Sequence, residues 1–196
     1  MPALRIVGLL PDTGIAALEG GDVLVMLRSA LDDAFEIPAP IRAIDHEGGI
    51  VQRIRDVPNL GSNGAFGRTR PTDLEACERG AVHAAQLRAM DFDMSLGPVL
   101  DVATNPRNPV IGDRAYGRSA ALVARLGAAY IQGLQGAGVI GAAKHFPGHG
   151  DTSVDSHIGL PVIKAGRTRL DAVELVPFRA AIEAGGKDVG SRSAIL

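Results

Sequence analysis

Short apolar runs alternate with amphipathic segments along the chain, and this alternation is typical of an α/β fold with a parallel sheet. Each run has the length of a buried strand. Several runs are followed by loops that contain glycine or proline, which punctuate secondary structure. The predicted strands are residues 4–10, 23–27, 41–44, 93–96 and 139–143.

Two amphipathic segments predict long helices. Thr72 and Glu75 have the spacing of a capping box, in which each side chain bonds the other residue's amide, so a helix should begin after Thr72 and run to about residue 89. A second helix should span residues 120–135 and stop at Gly136, because glycine favours helix ends. Its apolar stripe is formed by Val123, Leu126, Tyr130 and Leu134.

A third amphipathic segment begins near Thr168 and also predicts a helix. Proline cannot continue the hydrogen-bond ladder of a helix, so Pro177 should divide this segment. The segment should end at residues 185–186, where two glycines follow each other.

Two arrangements of these units compete, a doubly wound sheet and a (β/α)8 barrel. Residues 9–14, after the first run, contain neither of the glycine-rich phosphate motifs of doubly wound nucleotide binders. Polar clusters instead begin at Asp45, Asp101 and Lys144, after different strands, as is typical of a barrel. A barrel usually takes ~250 residues. We therefore predict that residues 1–196 form a single domain, an incomplete (β/α)8 TIM-type barrel with about five to six βα units.

The composition argues against nucleic-acid and membrane partners. The net charge is -2 with both signs interspersed, and 4% of the residues are aromatic, so neither a basic stripe nor a stacking platform is indicated. The sequence contains no run that reads as a membrane span or signal peptide. Cys77 is the single cysteine, which fits a reducing compartment. We expect a cytoplasmic protein, and the sequence leaves its oligomeric state open.

The segment 144–157 is the strongest candidate site because it contains one Lys, three His and two Asp. His145 and His149 have the i, i+4 spacing of a helical zinc pair, but Pro147 and Gly148 between them disfavour a helix. We therefore expect neither a metal nor a cofactor. A serine hydrolase is also disfavoured, because the chain has no G-x-S-x-G motif.

Asp155 and His157 are the most plausible proton-transfer pair in this segment. In an extended chain, side chains at i and i+2 point the same way, so the carboxylate can orient the imidazole and stabilise its charged form. An imidazole with a pKa of ~6.5 can donate a proton and later accept one near neutral pH. The alternative is a solvated loop with an incidental histidine.

Two further clusters follow predicted strands. Asp45 and Arg53 could face one ligand, the carboxylate accepting and the guanidinium donating, or form a local surface pair. Arg114 lies in a long proline-containing loop and is a candidate ligand donor. The alternative is that Asp101, Asp113 and Arg114 hydrogen-bond this loop to itself.

Four motifs follow one another along the chain: Asp45-x-Glu47-Gly48-Gly49-x-Val51-x-Arg53, Gly97-Pro98-Val99-Leu100-Asp101-Val102, Ile111-Gly112-Asp113-Arg114, and Lys144-His145-Phe146-Pro147-Gly148-His149-Gly150 with Asp155-Ser156-His157. In this order they resemble glycoside hydrolase family 3, and more narrowly its bacterial β-N-acetylglucosaminidase (β-hexosaminidase) branch. The resemblance implies retaining hydrolysis of terminal β-linked N-acetylglucosamine on a (β/α)8-type barrel. It further implies a small carbohydrate substrate, such as the cell-wall (peptidoglycan) fragments that are recycled in the cytoplasm.

The same resemblance implies roles for single residues. It places the acid/base role on His157, assisted by Asp155. His46 departs from the glutamine that the family usually has, and Ile50 from the usual arginine. The sugar-binding role falls on Asp45, Arg53, Arg114, Lys144 and His145.

The family's nucleophilic Asp has no counterpart that we can assign after Gly185, where Asp188 is the one carboxylate. A retaining glycosidase needs that second carboxylate ~5–5.5 Å from the acid/base group. We therefore expect a C-terminally truncated or frame-shifted form of such an enzyme. The alternatives are a non-catalytic sugar-binding remnant and a glycoside phosphorylase, in which a histidine acid/base would not repel phosphate.

Overall fold

The fold is described from a computed structural model of the chain. It describes residues 41–153, 163 and 165–185, together with the backbone of residues 23–27, 40 and 194–195. The predicted strand at residues 4–10 lies outside these ranges.

Five strands form one sheet in sequence order, and β2 to β5 run parallel to one another. Helices follow strands in the chain, as the alternating pattern predicts, so the α/β class is confirmed. The strands are β1 (Val23–Leu27), β2 (Pro40–Ile44), β3 (Met94–Ser95), β4 (Ile140–Ala143) and β5 (Ala194–Ile195).

The first pair of strands departs from the expected all-parallel sheet. β1 pairs antiparallel with β2, so that Val23 faces Ile44 and Leu27 faces Pro40. A parallel return requires a crossover of about a dozen residues or more, whereas an antiparallel return needs only a turn. Residues 28–39 between the two strands are at the lower limit for a crossover, and the parallel arrangement expected for this pair is therefore wrong.

The two long helices confirm the sequence prediction. The capping box is present, because Thr72 Oγ1 accepts from the Glu75 amide at 3.2 Å and Glu75 Oε2 accepts from the Thr72 amide at 2.7 Å. The second helix includes Gly136, and the chain turns away at Gly138, which has a φ of +87°. The helices are α1 (Asn63–Arg68), α2 (Asp73–Ala89), α3 (Ala120–Gly136), α4 (Arg167–Arg169) and α5 (Val176–Gly185).

The third predicted helix is divided close to its proline. The short helix α4 continues as a π-helical turn over Leu170–Glu174, and α5 begins at Val176. Pro177 is the second residue of α5, a position where a missing amide costs little. None of the helices in the described ranges is both long enough and apolar enough to cross a bilayer.

Helix α3 is the centre of the core, where it packs against α2 and α5. Its predicted stripe is fully buried, with Val123 and Leu126 in one cluster and Tyr130 and Leu134 in a second. Two glycines allow α2 and α3 to approach closely. A Cβ atom at Gly80 would lie 2.1 Å from the Tyr130 carbonyl oxygen, and one at Gly133 would lie 1.8 Å from that of Cys77.

We expect Gly133→Ala to lower the free energy of unfolding by about 1–3 kcal/mol, the usual cost of overpacking, because its methyl group would meet backbone atoms that cannot rotate away. Gly136→Ala is the matched control on the same helix, since a Cβ at Gly136 meets no atom within 4 Å. Urea denaturation of both variants measures the difference. Equal stabilities would contradict the close approach of the two helices.

Candidate active site

The carboxyl ends of β2 and β4 bring two predicted site residues together. Asp45 directly follows β2 and Lys144 directly follows β4, and ligand groups gather at this edge of parallel sheets. The Lys144 ammonium contacts Asp45 Oδ1 and lies 2.6 Å from Glu47 Oε1. All three side chains are largely buried. A buried ammonium needs such carboxylate partners to remain charged.

Arg114 reaches the same carboxylate from the long loop. Its Nε and Nη2 atoms donate to the two oxygens of Glu47 at 2.9 and 2.6 Å, a bidentate fork. Burial alone would raise the pKa of Glu47, but the hydrogen bonds from Arg114 and the charge of Lys144 outweigh it and lower the pKa to about 2. Burial likewise opposes the charge of Arg114, and the bond to Glu47 outweighs it, so the guanidinium pKa is raised. Glu47 is therefore a firmly ionised bridge between two cations.

Asp101 fixes the ring of His145. This fully buried carboxylate accepts from His145 Nδ1 at 2.6 Å and from the His149 amide at 2.6 Å. The other ring nitrogen, Nε2, lies 3.3 Å from Arg114 Nη2, which can only donate. The hydrogen-bond roles assign a neutral imidazole that carries its proton on Nδ1. His145 thus presents an acceptor, Nε2, to the site.

The loop that carries His145 is not helical, as its proline and glycines predict. Asn108 donates to the His149 carbonyl at 2.8 Å, and Asn105 donates to the Thr152 carbonyl at 3.0 Å. The i, i+4 spacing of the two histidines therefore does not place them on one face of a helix, as it would in a helical zinc pair. Residues 41–153 and 165–185 contain no group of three or more Cys, His, Asp and Glu side chains that could hold a metal ion.

The Arg53 backbone is tied to the end of β2, next to Asp45. The ring of His46, the residue after Asp45, accepts at Nδ1 from the amides of Arg53 and Ile54 at 3.1 and 3.2 Å. The intervening turn needs left-handed backbone at Gly48, with a φ of +86° that glycine adopts without strain. Arg53 itself is exposed to solvent.

A cavity of about 200 Å³ adjoins the far side of the Arg114–Glu47 fork. It shares the fork with the cluster but is lined by neither Lys144 nor His145. We therefore centre the site on the strand ends, where the buried charges converge, and not on this cavity. Its lining residues are Glu47, Gly48, Gly49, Ile50, Ser62, Asn63, Asp113 and Arg114.

The predicted sugar-binding residues are mostly neighbours. Asp45, Lys144, Arg114 and His145 lie in one hydrogen-bonded network through Glu47. The predicted pair Asp155 and His157 lies outside the described residues.

Asp101, Asp113 and Arg114 do not merely bond their own loop to itself. Arg114 donates to the Val110 carbonyl of the loop at 3.4 Å. Asp113, however, bonds Arg68 in α1, and Arg114 and Asp101 bond Glu47 and His145 as described above. Sequence reasoning did not assign Glu47 and Asp101 to the site. The spacing of Asp45 and Glu47 carried a usable signal, because i and i+2 share a face of an extended chain.

The profile of the glycosyl hydrolase family 3 N-terminal domain matches residues 17–191. The chain belongs to glycosyl hydrolase family 3. Among relatives in this family, the beta-hexosaminidase of Tolumonas auensis is 42% identical over 150 residues, which are 74% of this chain and 44% of that protein. The beta-hexosaminidase A of Pseudoalteromonas piscicida is 38% identical over 170 residues, 82% of this chain and 28% of that protein.

Two solved family 3 structures are similar to the fold described here. The β-N-acetylglucosaminidase from a Paenibacillus species has a TM-score of 0.70 and 45% identity, covering 78% of this chain and 29% of that one. NagZ from Neisseria gonorrhoeae was solved in complex with N-trifluoroacetyl-D-glucosamine. It has a TM-score of 0.68 and 34% identity, and the match covers 78% of this chain and 47% of that one. The chain spans less than half the length of each of these four relatives.

Proposed function

We propose that this chain carries the sugar-binding half of a retaining β-N-acetylglucosaminidase whose catalytic domain is a (β/α)8 TIM-type barrel. The observation that carries the proposal is the buried network of Asp45, Glu47, Lys144, Arg114 and His145 at the strand ends of a family 3 chain. Named relatives in the same family are beta-hexosaminidases, which supports the sugar specificity.

The network suits a polyhydroxylated ligand. Asp45 and the Nε2 atom of His145 can accept from sugar hydroxyls, while Lys144 and Arg114 can donate to them. These groups already hold one another, so little side-chain freedom would be lost on binding. Arg53 would add a donor from the neighbouring segment. Such fixed contacts would position the anomeric carbon for reaction.

His157 would act as the general acid/base and Asp155 would orient it. The nucleophile would be a second carboxylate ~5–5.5 Å from the acid/base group. We assign none of Asp45, Glu47 and Asp101 to that role, because each is engaged with a cation or a histidine. No cofactor enters this mechanism. The natural substrates would be peptidoglycan fragments recycled in the cytoplasm, and residues 1–196 would belong to a single barrel domain.

In the full-length enzyme, His157→Ala should lower turnover of a methyl N-acetyl-β-glucosaminide by about 10²–10⁴-fold and that of the 4-nitrophenyl glycoside much less, because a poor leaving group needs the proton more. Initial rates on both substrates measure the contrast. Equal losses would argue against proton donation by His157. Turnover that requires phosphate would indicate a phosphorylase, and N-acetylglucosamine binding without release of 4-nitrophenol would indicate a binding module.

A further inference from the structure

His46 is a buried titratable residue that the proposed mechanism does not use. It is 1% exposed and follows Asp45 at the end of β2. Its Nδ1 atom accepts two consecutive amides, those of Arg53 and Ile54. Gln52, by contrast, bonds within the same segment, donating to the Ile54 and Val57 carbonyls. The imidazole therefore ties this segment to the strand end.

The hydrogen-bond roles fix the protonation state that this anchor requires. A ring nitrogen that accepts two N–H groups cannot itself carry a proton, so His46 must be neutral with its proton on Nε2. Protonation would place an N–H on Nδ1, directly opposite two other N–H donors. Both amides would then lose their acceptor, and the segment that carries Arg53 would lose its tie to the strand.

The surroundings of His46 favour the neutral form. Burial lowers the pKa of His46 below its ordinary value of 6.5, while the charges of Asp45 and Arg53 oppose one another. The centroid of the His83 ring, from α2, lies 5.4 Å from that of the His46 ring. His83 also contacts the Tyr130 hydroxyl of α3 through its Nδ1 atom. Burial lowers the pKa of His83 to about 3, so it titrates at far lower pH. The titratable groups whose charges act on His83 are His46, Arg79 and Glu47.

We propose that His46 is a positioning residue that holds the segment of Arg53 against the end of β2, beside the proposed sugar site, when the imidazole is neutral and releases this segment when the imidazole is protonated. The consequence for sugar binding rests on the proposed function, whereas the anchoring itself does not. Because the folded state binds the proton less readily than the unfolded chain, the stability that the anchor contributes is complete above about pH 6.5 and is lost as the pH falls through the lowered pKa of His46.

Hydrogen exchange tests the anchoring without any ligand. In the wild-type chain the protection factors of the Arg53 and Ile54 amides should fall by about fivefold or more between about pH 7.5 and a pH below the midpoint of His46 protonation. In His46→Gln the side-chain oxygen accepts an N–H but does not titrate, so the ratio between the two pH values should be near one. Equal ratios in the two proteins would overturn the proposal.

A second measurement needs no variant. The ¹⁵N shifts of the His46 ring should report an unprotonated Nδ1 at about pH 7.5, and its protonation should share a midpoint with the loss of protection at Arg53 and Ile54. Midpoints that differ would overturn the proposal. Because it uses only the wild-type chain, this comparison of midpoints still tests the proposal if His46→Gln does not fold.

The functional arm measures the affinity for N-acetylglucosamine across the same pH range. Binding by the wild-type chain should weaken by about tenfold on acidification, and that by His46→Gln should weaken much less, since one charge-assisted donor is at stake. If amide exchange follows the expected pattern but neither protein binds the sugar at any pH, the proposed function is contradicted and the anchoring by His46 is not. If the affinities of the two proteins depend on pH in the same way, the link between His46 and sugar binding is contradicted.

Discussion

Glu47→Gln should lower the free energy of unfolding by about 3–5 kcal/mol, the cost of leaving buried charges without their partner. Lys144 and Arg114 both bond the Glu47 carboxylate, and the three side chains are largely buried. An amide can accept from one cation but carries no compensating charge, and its NH₂ group would face the other cation. We expect N-acetylglucosamine binding to be lost with it. Urea denaturation and calorimetry measure the two effects.

The control for this variant is Asp113→Asn. Asp113 bonds Arg68 at 2.6 Å, but both side chains are half or more exposed. Exposed pairs contribute only about 0–1 kcal/mol, so this substitution should change stability little. The gap between wild type and Glu47→Gln should also close in acid, because the stabilisation from Glu47 is complete above pH 4.5 and is lost as the pH falls through about 2. Equal losses in the two variants would contradict a buried ionic bridge.

Asp101→Asn should invert the tautomer of His145. An amide NH₂ in place of the carboxylate would donate to Nδ1, which moves the ring proton to Nε2, where it would face Arg114. Replacement of the carboxylate in a catalytic triad disables its histidine in this way. Since His145 is here a proposed ligand acceptor, we expect a loss of about 10–100-fold in N-acetylglucosamine affinity. The ¹⁵N shifts of the His145 ring read the tautomer directly.

Asp91→Asn serves as the control for that change. Asp91 is exposed and has a φ of +62°, a conformation that asparagine tolerates. It should therefore leave both stability and the His145 spectrum unaltered. If the His145 ring keeps its proton on Nδ1 in Asp101→Asn, the assigned tautomer is contradicted. This outcome does not depend on how much stability the variant loses.

The local features of the fold could be predicted from the sequence because they depend on neighbours in the chain. Thr72 and Glu75 define the start of α2, and the stripe from Val123 to Leu134 defines the buried face of α3. The antiparallel direction of β1 could not be predicted in this way. Hydrophobic periodicity indicates where a strand lies in the chain but carries no information about its direction relative to its neighbour.

Some members of the candidate site could be predicted from the sequence, but the hydrogen bonds that join them could not. Asp45, Lys144 and His145 stand out as polar residues directly after strands. The roles of Glu47 and Asp101 depend on partners far away in sequence. Asp101 meets His145 across 44 positions, and Glu47 meets Arg114 across 67. No local spacing rule reports such pairs, because tertiary packing selects them.

The fork of Arg114 on Glu47 and the contact of Lys144 with Asp45 join two formal positive charges to two formal negative charges. At long range their fields largely cancel, although each group is strong at contact distance. An ionic group of a ligand would have to break one of these pairs to reach the network, whereas a hydroxyl group would not. For the proposed sugar site we therefore expect neutral sugars to bind better than phosphorylated or sulfated ones.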